Sequence, residues 1–129
     1  MIFFCDENVG SGVAHALRDV GLAAHSTYSL GWTGRADEWW LPRVGEAGWV
    51  VFTANKKMLL VPRERDTIIE NEVGIVFLTT GNETPQTMLR LLLNRWDRLE
   101  SLHRNTARSF ARFLSPNGRL ADRFRHYHL

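Results

Sequence analysis

Residues 1–10, MIFFCDENVG, place an apolar run directly before three polar side chains. The run at residues 2–5 is continuous rather than alternating, which is typical of an inner parallel strand that is covered on both faces. It stops at Asp6, Glu7 and Asn8. Because ligands of open α/β sheets bind outside the carboxyl ends of the strands, these oxygen-bearing side chains are the start of a candidate metal or phosphate site.

Strand and helix patterns alternate along the rest of the chain. Further apolar or β-branched runs predict strands at residues 22–25, 49–52 and 74–78. Helical spacing of apolar side chains predicts helices after residue 11, from residue 37, from residue 62 and, as one long helix, from residue 85 to residue 102. This order predicts an α/β fold with a central, mostly parallel sheet of about four strands, flanked by helices.

Length and composition favour one compact domain. A chain of 129 residues with 44% hydrophobic content is long enough for one core and too short for two ordinary ones. The single cysteine, Cys5, cannot pair within the chain, which favours a reducing compartment. No run approaches the roughly 18 apolar residues of a membrane span, and the first residues lack the pattern of a secretory signal. We therefore expect a cytoplasmic protein without a membrane segment.

Charge is distributed unevenly along the chain. Residues 1–89 carry 7 basic and 11 acidic side chains, whereas residues 90–129 carry 9 basic and 3 acidic ones. Together with the helix and strand patterns, this contrast predicts a folded domain at residues 1–103 and a basic C-terminal extension at residues 104–129. A basic surface attracts polyanions, although an arginine-rich segment can also be a simple solvated face.

Three stretches together resemble a known family. Residues 6–8 (DEN) end the first strand, residues 36–39 (ADEW) begin the second helix, and residues 49–53 (WVVFT) form the third strand before a polar cluster. Their order and spacing resemble the PIN-like domain, particularly the small PIN-like toxin components of bacterial toxin–antitoxin pairs. The resemblance covers about residues 1–102. It implies a three-layer α/β/α sandwich, a ribonuclease that uses Mg²⁺ or Mn²⁺, RNA as substrate and a cognate antitoxin protein as partner.

The resemblance assigns the metal site to acidic residues that converge at the strand ends. Asp6 matches the family's first metal-binding aspartate, and Asp37 matches the second, at the head of the second helix. Phosphodiester hydrolysis needs such residues, because carboxylates fix a hard divalent cation while they leave positions open. The residues alone leave other roles open, since Asp6 can form a turn and Asp37 can favour the helix dipole.

The third position departs from the family pattern. Asn55 stands where an aspartate is expected, and a neutral amide holds a cation more weakly than a carboxylate does. Glu64 is the nearest acid that can compensate, although between two arginines it can also be simply solvated. Lys57 either holds a phosphate or pairs with Asp6 in the place of the metal. The predicted catalytic residues are Asp6, Asp37 and Asn55, and the predicted metal ligands are Asp6, Asp37 and Glu64.

Basic side chains are the predicted RNA contacts. Lys56 and Lys57 follow the third strand, while Arg104 and Arg108 begin a four-residue spacing that continues to Arg112 and predicts one basic helix face. Tryptophans can stack bases, or they can pack in the core or in the interface of a homodimer.

Two functions of different classes are consistent with these residues. The first is a metal-dependent endoribonuclease of the toxin type. The second is a catalytically degenerate PIN-like module that binds RNA or protein, which Asn55 and Lys57 favour. A phosphoryl-accepting receiver domain is a weaker candidate, because it needs an aspartate at the end of the third strand, where Thr53 stands.

Overall fold

The computed structural model of the protein describes residues 1–81 and 83–122. The strands within them are β1 Phe3–Cys5, β2 Ala24–Ser26, β3 Val50–Thr53, β4 Gly74–Leu78, β5 Phe110–Leu114 and β6 Leu120–Asp122. The helices are α1 Gly12–Asp19, α2 Thr27–Leu30, α3 Asp37–Ala47, α4 Pro62–Glu70, α5 Pro85–Asn94 and α6 Trp96–Asn105, and a short 3-10 helix, Lys56–Leu59, follows β3. None of the helices in the described ranges is long and apolar enough to cross a membrane.

The strands form one sheet in the order β2-β1-β3-β4-β5-β6. All neighbouring strands are parallel except β6, which runs antiparallel to β5. The expected α/β architecture, with a central and mostly parallel sheet, is confirmed. The expected strand number is wrong, since the described residues form six strands rather than about four.

Each inner strand is covered on both faces. Phe3 and Cys5 of β1 pack in one core with α1, α5 and α6, whereas Phe4 packs in a second core with α3 and α4. All three side chains are fully buried. Burial on both faces explains why the strand sequences are continuous apolar runs rather than alternating ones. The two cores and the sheet between them make a three-layer α/β/α sandwich.

The chain changes direction in the sheet at β1. From β1 it passes to β2 on one side and then returns to β3 on the other side. The register pairs Cys5 with Phe52, so Asp6 follows β1 beside Thr53, the last residue of β3. A ligand crevice is expected outside the carboxyl ends of the strands at such a switch point. Asp6 and Thr53 therefore lie where an open α/β sheet places its ligand.

The predicted long helix from residue 85 to residue 102 is wrong. Two helices, α5 and α6, meet at Arg95, whose φ of −117° and ψ of 9° leave the helical region. The Arg95 Nε–H donates to the Gly118 carbonyl oxygen at 2.5 Å, which joins this corner to the turn between β5 and β6. Beyond the break, Trp96 packs against Phe3, with ring centroids 5.2 Å apart.

Strand β5 is the largest element that the sequence patterns do not predict. Arg112 interrupts its apolar pattern, but the guanidinium pairs with the Asp122 carboxylate of β6 at 3.3 Å, while Phe110 and Phe113 are buried. β5 and β6 extend the sheet formed by β1 to β4. The division of the chain at residue 103 stays a prediction, and residues 123–129 of the predicted extension lie outside the described residues.

Helices α3 and α4 approach each other closely at Gly45. A Cβ atom at this glycine would overlap the carbonyl oxygen of Asn71, at the end of α4. The absence of a side chain thus sets the spacing of the two helices that carry Asp37 and Glu64.

Gly45→Ala should force α3 and α4 apart and lower the free energy of unfolding by about 1–3 kcal/mol, the usual cost of overpacking. Gly12→Ala is the matched control, because a Cβ atom at Gly12 meets nothing within 4 Å and alanine favours helices. Urea denaturation followed by circular dichroism measures both variants. Equal stability of the two would contradict the close approach of the helices.

Candidate active site

The end of β1 fixes the Asp6 carboxylate below the surface. Its side chain is only 3% exposed. Asp6 Oδ1 accepts hydrogen bonds from the backbone N–H groups of Asn8, at 3.1 Å, and Val9, at 3.3 Å. The expected turn-forming role of Asp6 is thus present in the structure. It does not exclude a second role, because an ionised carboxylate has about four acceptor positions.

Thr53 joins Asp6 to the third strand. The Thr53 hydroxyl is fully buried and donates to Asp6 Oδ2. The hydroxyl oxygen of Thr53 also accepts a hydrogen bond from the backbone N–H of Asn55 at 3.0 Å. A hydrogen-bonded chain therefore runs from Asn55 through Thr53 to Asp6. This role of Thr53 is not predicted from the sequence. The available signal is a threonine at the end of a buried strand, but its meaning depends on which strand lies beside it.

Asp37 reaches the same site from the first turn of α3. It is half-buried, and its Oδ2 accepts from the Asn55 side-chain amide at 3.5 Å. Asp6 and Asp37 line one cleft of about 180 Å³, whose other lining residues are Glu7, Asn8, Arg35 and Trp40. The structure therefore brings together the three predicted catalytic residues, with Asn55 bonded to Asp37 directly and to Asp6 through Thr53.

The two carboxylates share an environment that disfavours negative charge. Burial raises the pKa of Asp6 to about 6, and the charge of Asp37 adds to this effect against the lowering by the Thr53 hydroxyl. Burial also raises the pKa of Asp37, with further contributions from the Glu38 and Glu7 charges, while hydrogen bonds from the Trp40 and Asn55 side chains lower it. In residues 1–81 and 83–122 neither aspartate takes part in an ion pair.

Glu64 lies near Asp37 but outside the cleft. It is half-buried in the first turn of α4, and burial together with the charges of Asp37 and Glu38 raises its pKa. Glu38 itself pairs with Arg63 at 2.8 Å. Among the described residues, no group of three or more histidine, cysteine, aspartate or glutamate side chains is arranged to hold a metal ion. The apo geometry thus offers two converging carboxylates rather than a complete protein cage.

A second and larger pocket adjoins the acidic cleft. It has a volume of about 550 Å³ and is lined by Asn8, Ala54, Asn55, Lys56, Lys57 and Gly81. The Lys56 ammonium donates to the Thr79 carbonyl oxygen at 2.6 Å, which holds it at the end of β4. No ion pair joins Lys57 to Asp6 in the described part of the chain. Asn8 lines both pockets, so cationic and anionic side chains face adjoining spaces.

The predicted arginine contacts lie elsewhere. Arg104 is on α6 and pairs with Glu100 at 3.5 Å, whereas Arg108 lies in the segment before β5, so the expected common helix face is wrong. The Arg108 guanidinium donates to the carbonyl oxygens of Trp49, at 2.9 Å, and Gly48, at 3.1 Å. These carbonyls precede β3, so Arg108 lies at the amino ends of the parallel strands, whereas Asp6 lies at their carboxyl ends. RNA contact by Arg104 and Arg108 stays a prediction.

Glu7 has a role that the sequence analysis does not assign. Its exposed carboxylate accepts a hydrogen bond from the backbone N–H of Gly34. This bond ties the loop at residues 31–36 to the end of β1, and the loop in turn brings Arg35 to the cleft. Nothing in the sequence pairs residues 7 and 34, which lie 27 positions apart.

The fold agrees with a comparison against known families. Residues 1–80 match the family described as PIN like domain. The match covers more than half of the chain, so the protein belongs to the PIN-like domain family. Domains of this family are often nucleases and often bind nucleic acids. No curated protein and no solved structure matches the chain.

Burial of Asp6 predicts how the stability of the metal-free protein depends on pH. The pKa of this carboxyl group rises from 3.8 to about 6 on folding, so the folded protein holds more protons than the unfolded chain between these values. Stability from this group is therefore fully present below the unfolded pKa and is lost as the pH rises through about 6.

Asp6→Asn should remove this loss, because the amide keeps the shape of the side chain without its charge. We expect the free energy of unfolding in EDTA at about pH 7.5 to rise by up to about 3 kcal/mol, the equivalent of the pKa shift. Guanidinium denaturation at about pH 5 and about pH 7.5 measures the effect, with Asp66→Asn, an exposed change on α4, as the control. A variant that is less stable than the natural protein at about pH 7.5 would contradict this account of the site.

Proposed function

We propose that the protein is a Mg²⁺- or Mn²⁺-dependent endoribonuclease and the toxin of a cytoplasmic toxin–antitoxin pair. The observation that carries the proposal is the convergence of Asp6 and Asp37 in one cleft, at the switch point of the sheet and beside a pocket with two lysines. The proposal is supported by the family match, because PIN-like domains are often nucleases. The resemblance to small toxin components supports the role of toxin and a cognate antitoxin as partner.

The donor set fits one hard divalent cation. Mg²⁺ is commonly bound by one or two carboxylates, with water and substrate phosphates in its other positions. Asp6 and Asp37 supply two carboxylates, and their mutual repulsion favours a cation between them. Three donors occupy Asp6, which leaves about one acceptor position free. Asn55 and Glu64 are the proposed further ligands, directly or through water.

Each residue of the proposed site has a separate role. A bound Mg²⁺ or Mn²⁺ would stabilise the negative charge that develops on the phosphate oxygens during hydrolysis. Asp6 and Asp37 hold the cation, Thr53 positions Asp6, and the Asn55 amide positions Asp37. Lys56 and Lys57 bind phosphates of the RNA strand that continues into the larger pocket. Arg108 is not needed for this arrangement, because it lies at the amino ends of the strands, away from the cleft.

A second candidate function is a PIN-like module that binds RNA without cleaving it. The observation that favours it is Asn55, a neutral side chain at the position where the family pattern predicts an acid. The lack of a group of three metal-holding side chains within the described residues is consistent with it. The two candidates share the fold and the basic pocket, so cleavage separates them.

RNA cleavage with Mg²⁺ and with Mn²⁺ tests the proposal in three proteins and a control. The natural protein should cleave RNA, and Asp6→Asn should lower the rate on the order of 100-fold or more, since even outer partners of metal ligands contribute about 10- to 100-fold. Asn55→Asp should increase the affinity for Mn²⁺, so that cleavage reaches half of its maximal rate at a lower Mn²⁺ concentration. Asp19→Asn, an exposed change on α1, should cleave like the natural protein.

Two results would overturn the proposal in different ways. A natural protein that never cleaves, with activity gained in Asn55→Asp, would establish the degenerate binding module. Cleavage that survives unchanged in Asp6→Asn would mean that the activity belongs to another site or to a contaminant.

A further inference from the structure

An arginine lies on a tryptophan ring at the rim of the acidic cleft. Arg35 is exposed and lines the cleft, and its guanidinium carbon is 4.5 Å from the centroid of the Trp39 ring. Arg43 lies over the same ring at 3.6 Å. Within the described residues neither arginine has a carboxylate partner. The rim therefore carries two guanidinium groups over one indole ring, close to the carboxylates of the cleft but not ion-paired with them, on the side where α3 begins.

Backbone contacts hold Arg35 in this place. The Arg35 N–H donates to the Trp32 carbonyl oxygen at 3.2 Å, and the preceding residue, Gly34, donates to the Glu7 carboxylate. Gly34 has a φ of 82°, a conformation that side chains other than glycine rarely adopt. The loop is thus fixed to the end of β1 next to Arg35, and this places the Cα atom of Arg35 at the rim, while the contact with Trp39 places its guanidinium.

Trp39 differs from its neighbours in the aromatic cluster. Trp40 is 1% exposed and packs on Phe4, with ring centroids 4.9 Å apart. Trp32 stacks with Trp49 at 6.3 Å and contacts Phe4 at 5.7 Å, and both Trp32 and Trp39 are half-buried side chains that pack against this core. Trp39 meets Trp32 only edge-on, at 83°, and stays partly exposed. Trp32 therefore supports Trp39 from behind and leaves it to carry the arginines.

We infer that the Arg35–Trp39 pair is a nucleobase-binding subsite, which stacks an unpaired base of a strand whose backbone phosphates bind in the adjoining lysine-lined pocket. This inference rests on the proposed function and adds a specificity-determining element to it. A planar guanidinium that lies on an indole offers a rigid face for π-stacking. Nucleobases stack on aromatic rings and on arginine planes, and only unpaired bases have a face free for this contact.

The two sides of the cleft then recognise different parts of one strand. The lysine-lined pocket binds backbone phosphates, which are the same for every nucleotide. The Arg35–Trp39 side binds a base, which a phosphate-only contact cannot sense. A strand across the cleft is thereby held on both sides of the two aspartates.

Binding without cleavage tests the inference directly. The probe is a fluorescein-labelled oligoadenylate of about 12 nucleotides, compared in EDTA by anisotropy with an oligonucleotide of the same backbone that lacks its internal bases. The natural protein should prefer the probe with bases by at least about fivefold, the contribution of one stacked base. Arg35→Lys keeps the charge but loses the planar group, and it should abolish this preference. Arg90→Ala, an exposed arginine on α5, removes charge elsewhere and should keep the preference.

Each other result would overturn the inference. Equal affinity of the natural protein for the two probes would mean that no base is recognised. A preference that survives in Arg35→Lys and in Arg35→Ala would place the base elsewhere. Failure of the proposed function is separate from both, because it is the loss of cleavage with metal, whereas this assay contains none.

Discussion

The hydrogen bond from the Thr53 hydroxyl to the Asp6 carboxylate joins the ends of the neighbouring strands β1 and β3, and the rest of the site depends on it. A carboxylate that is 3% exposed must be compensated by donors, because an uncompensated buried charge costs several kcal/mol. Two backbone N–H groups and one hydroxyl supply part of this compensation, and burial still outweighs them, because the pKa of Asp6 is raised to about 6. The Thr53 hydroxyl also accepts a hydrogen bond from the Asn55 backbone N–H, so the same hydroxyl positions Asn55.

Asn55 is best understood from the charge of this site. The charge of Asp37 already raises the pKa of Asp6, and the charges of Glu38 and Glu7 raise the pKa of Asp37. A third carboxylate at position 55 would add to this repulsion in the absence of a cation. The amide instead donates a hydrogen bond to Asp37. It therefore stabilises the metal-free cleft, whereas in the proposed metal site it would bind a cation more weakly than a carboxylate, a common relation between stability and function at active sites. The adjoining lysines lower the negative potential from outside the cleft.

The sequence predicts the centre of the fold and the acidic half of the site. β1, β3 and β4 are continuous apolar runs because both faces are covered, and Asp6 and Asp37 follow from their places at the end of a strand and the start of a helix. The sequence does not predict the partners of these residues, since strand order is a property of the whole fold. Thr53 and Glu7 acquire their roles only once β3 and the loop at residues 31–36 lie beside β1.

Errors in the sequence analysis have equally local causes. The sequence pattern does not predict β5, because Arg112 interrupts the apolar run. The charge of Arg112 is neutralised by Asp122 of β6, a pairing that the pattern of a single strand does not contain. The apolar residues from residue 85 to residue 102 keep helical spacing across Arg95. The spacing therefore does not predict the corner between α5 and α6. The four-residue spacing of Arg104 and Arg108 suggests a helix, yet the helix ends at Asn105.

Calorimetric titration of Mn²⁺ into the metal-free protein tests the central claim most directly, because it needs neither an RNA target nor an antitoxin. The account predicts one Mn²⁺ ion per chain, with binding strongly weakened in Asp6→Asn and in Asp37→Asn and unchanged in Asp19→Asn. A natural protein that binds no Mn²⁺, or binding that is the same in both cleft variants, would contradict the claim that these two carboxylates form a metal site.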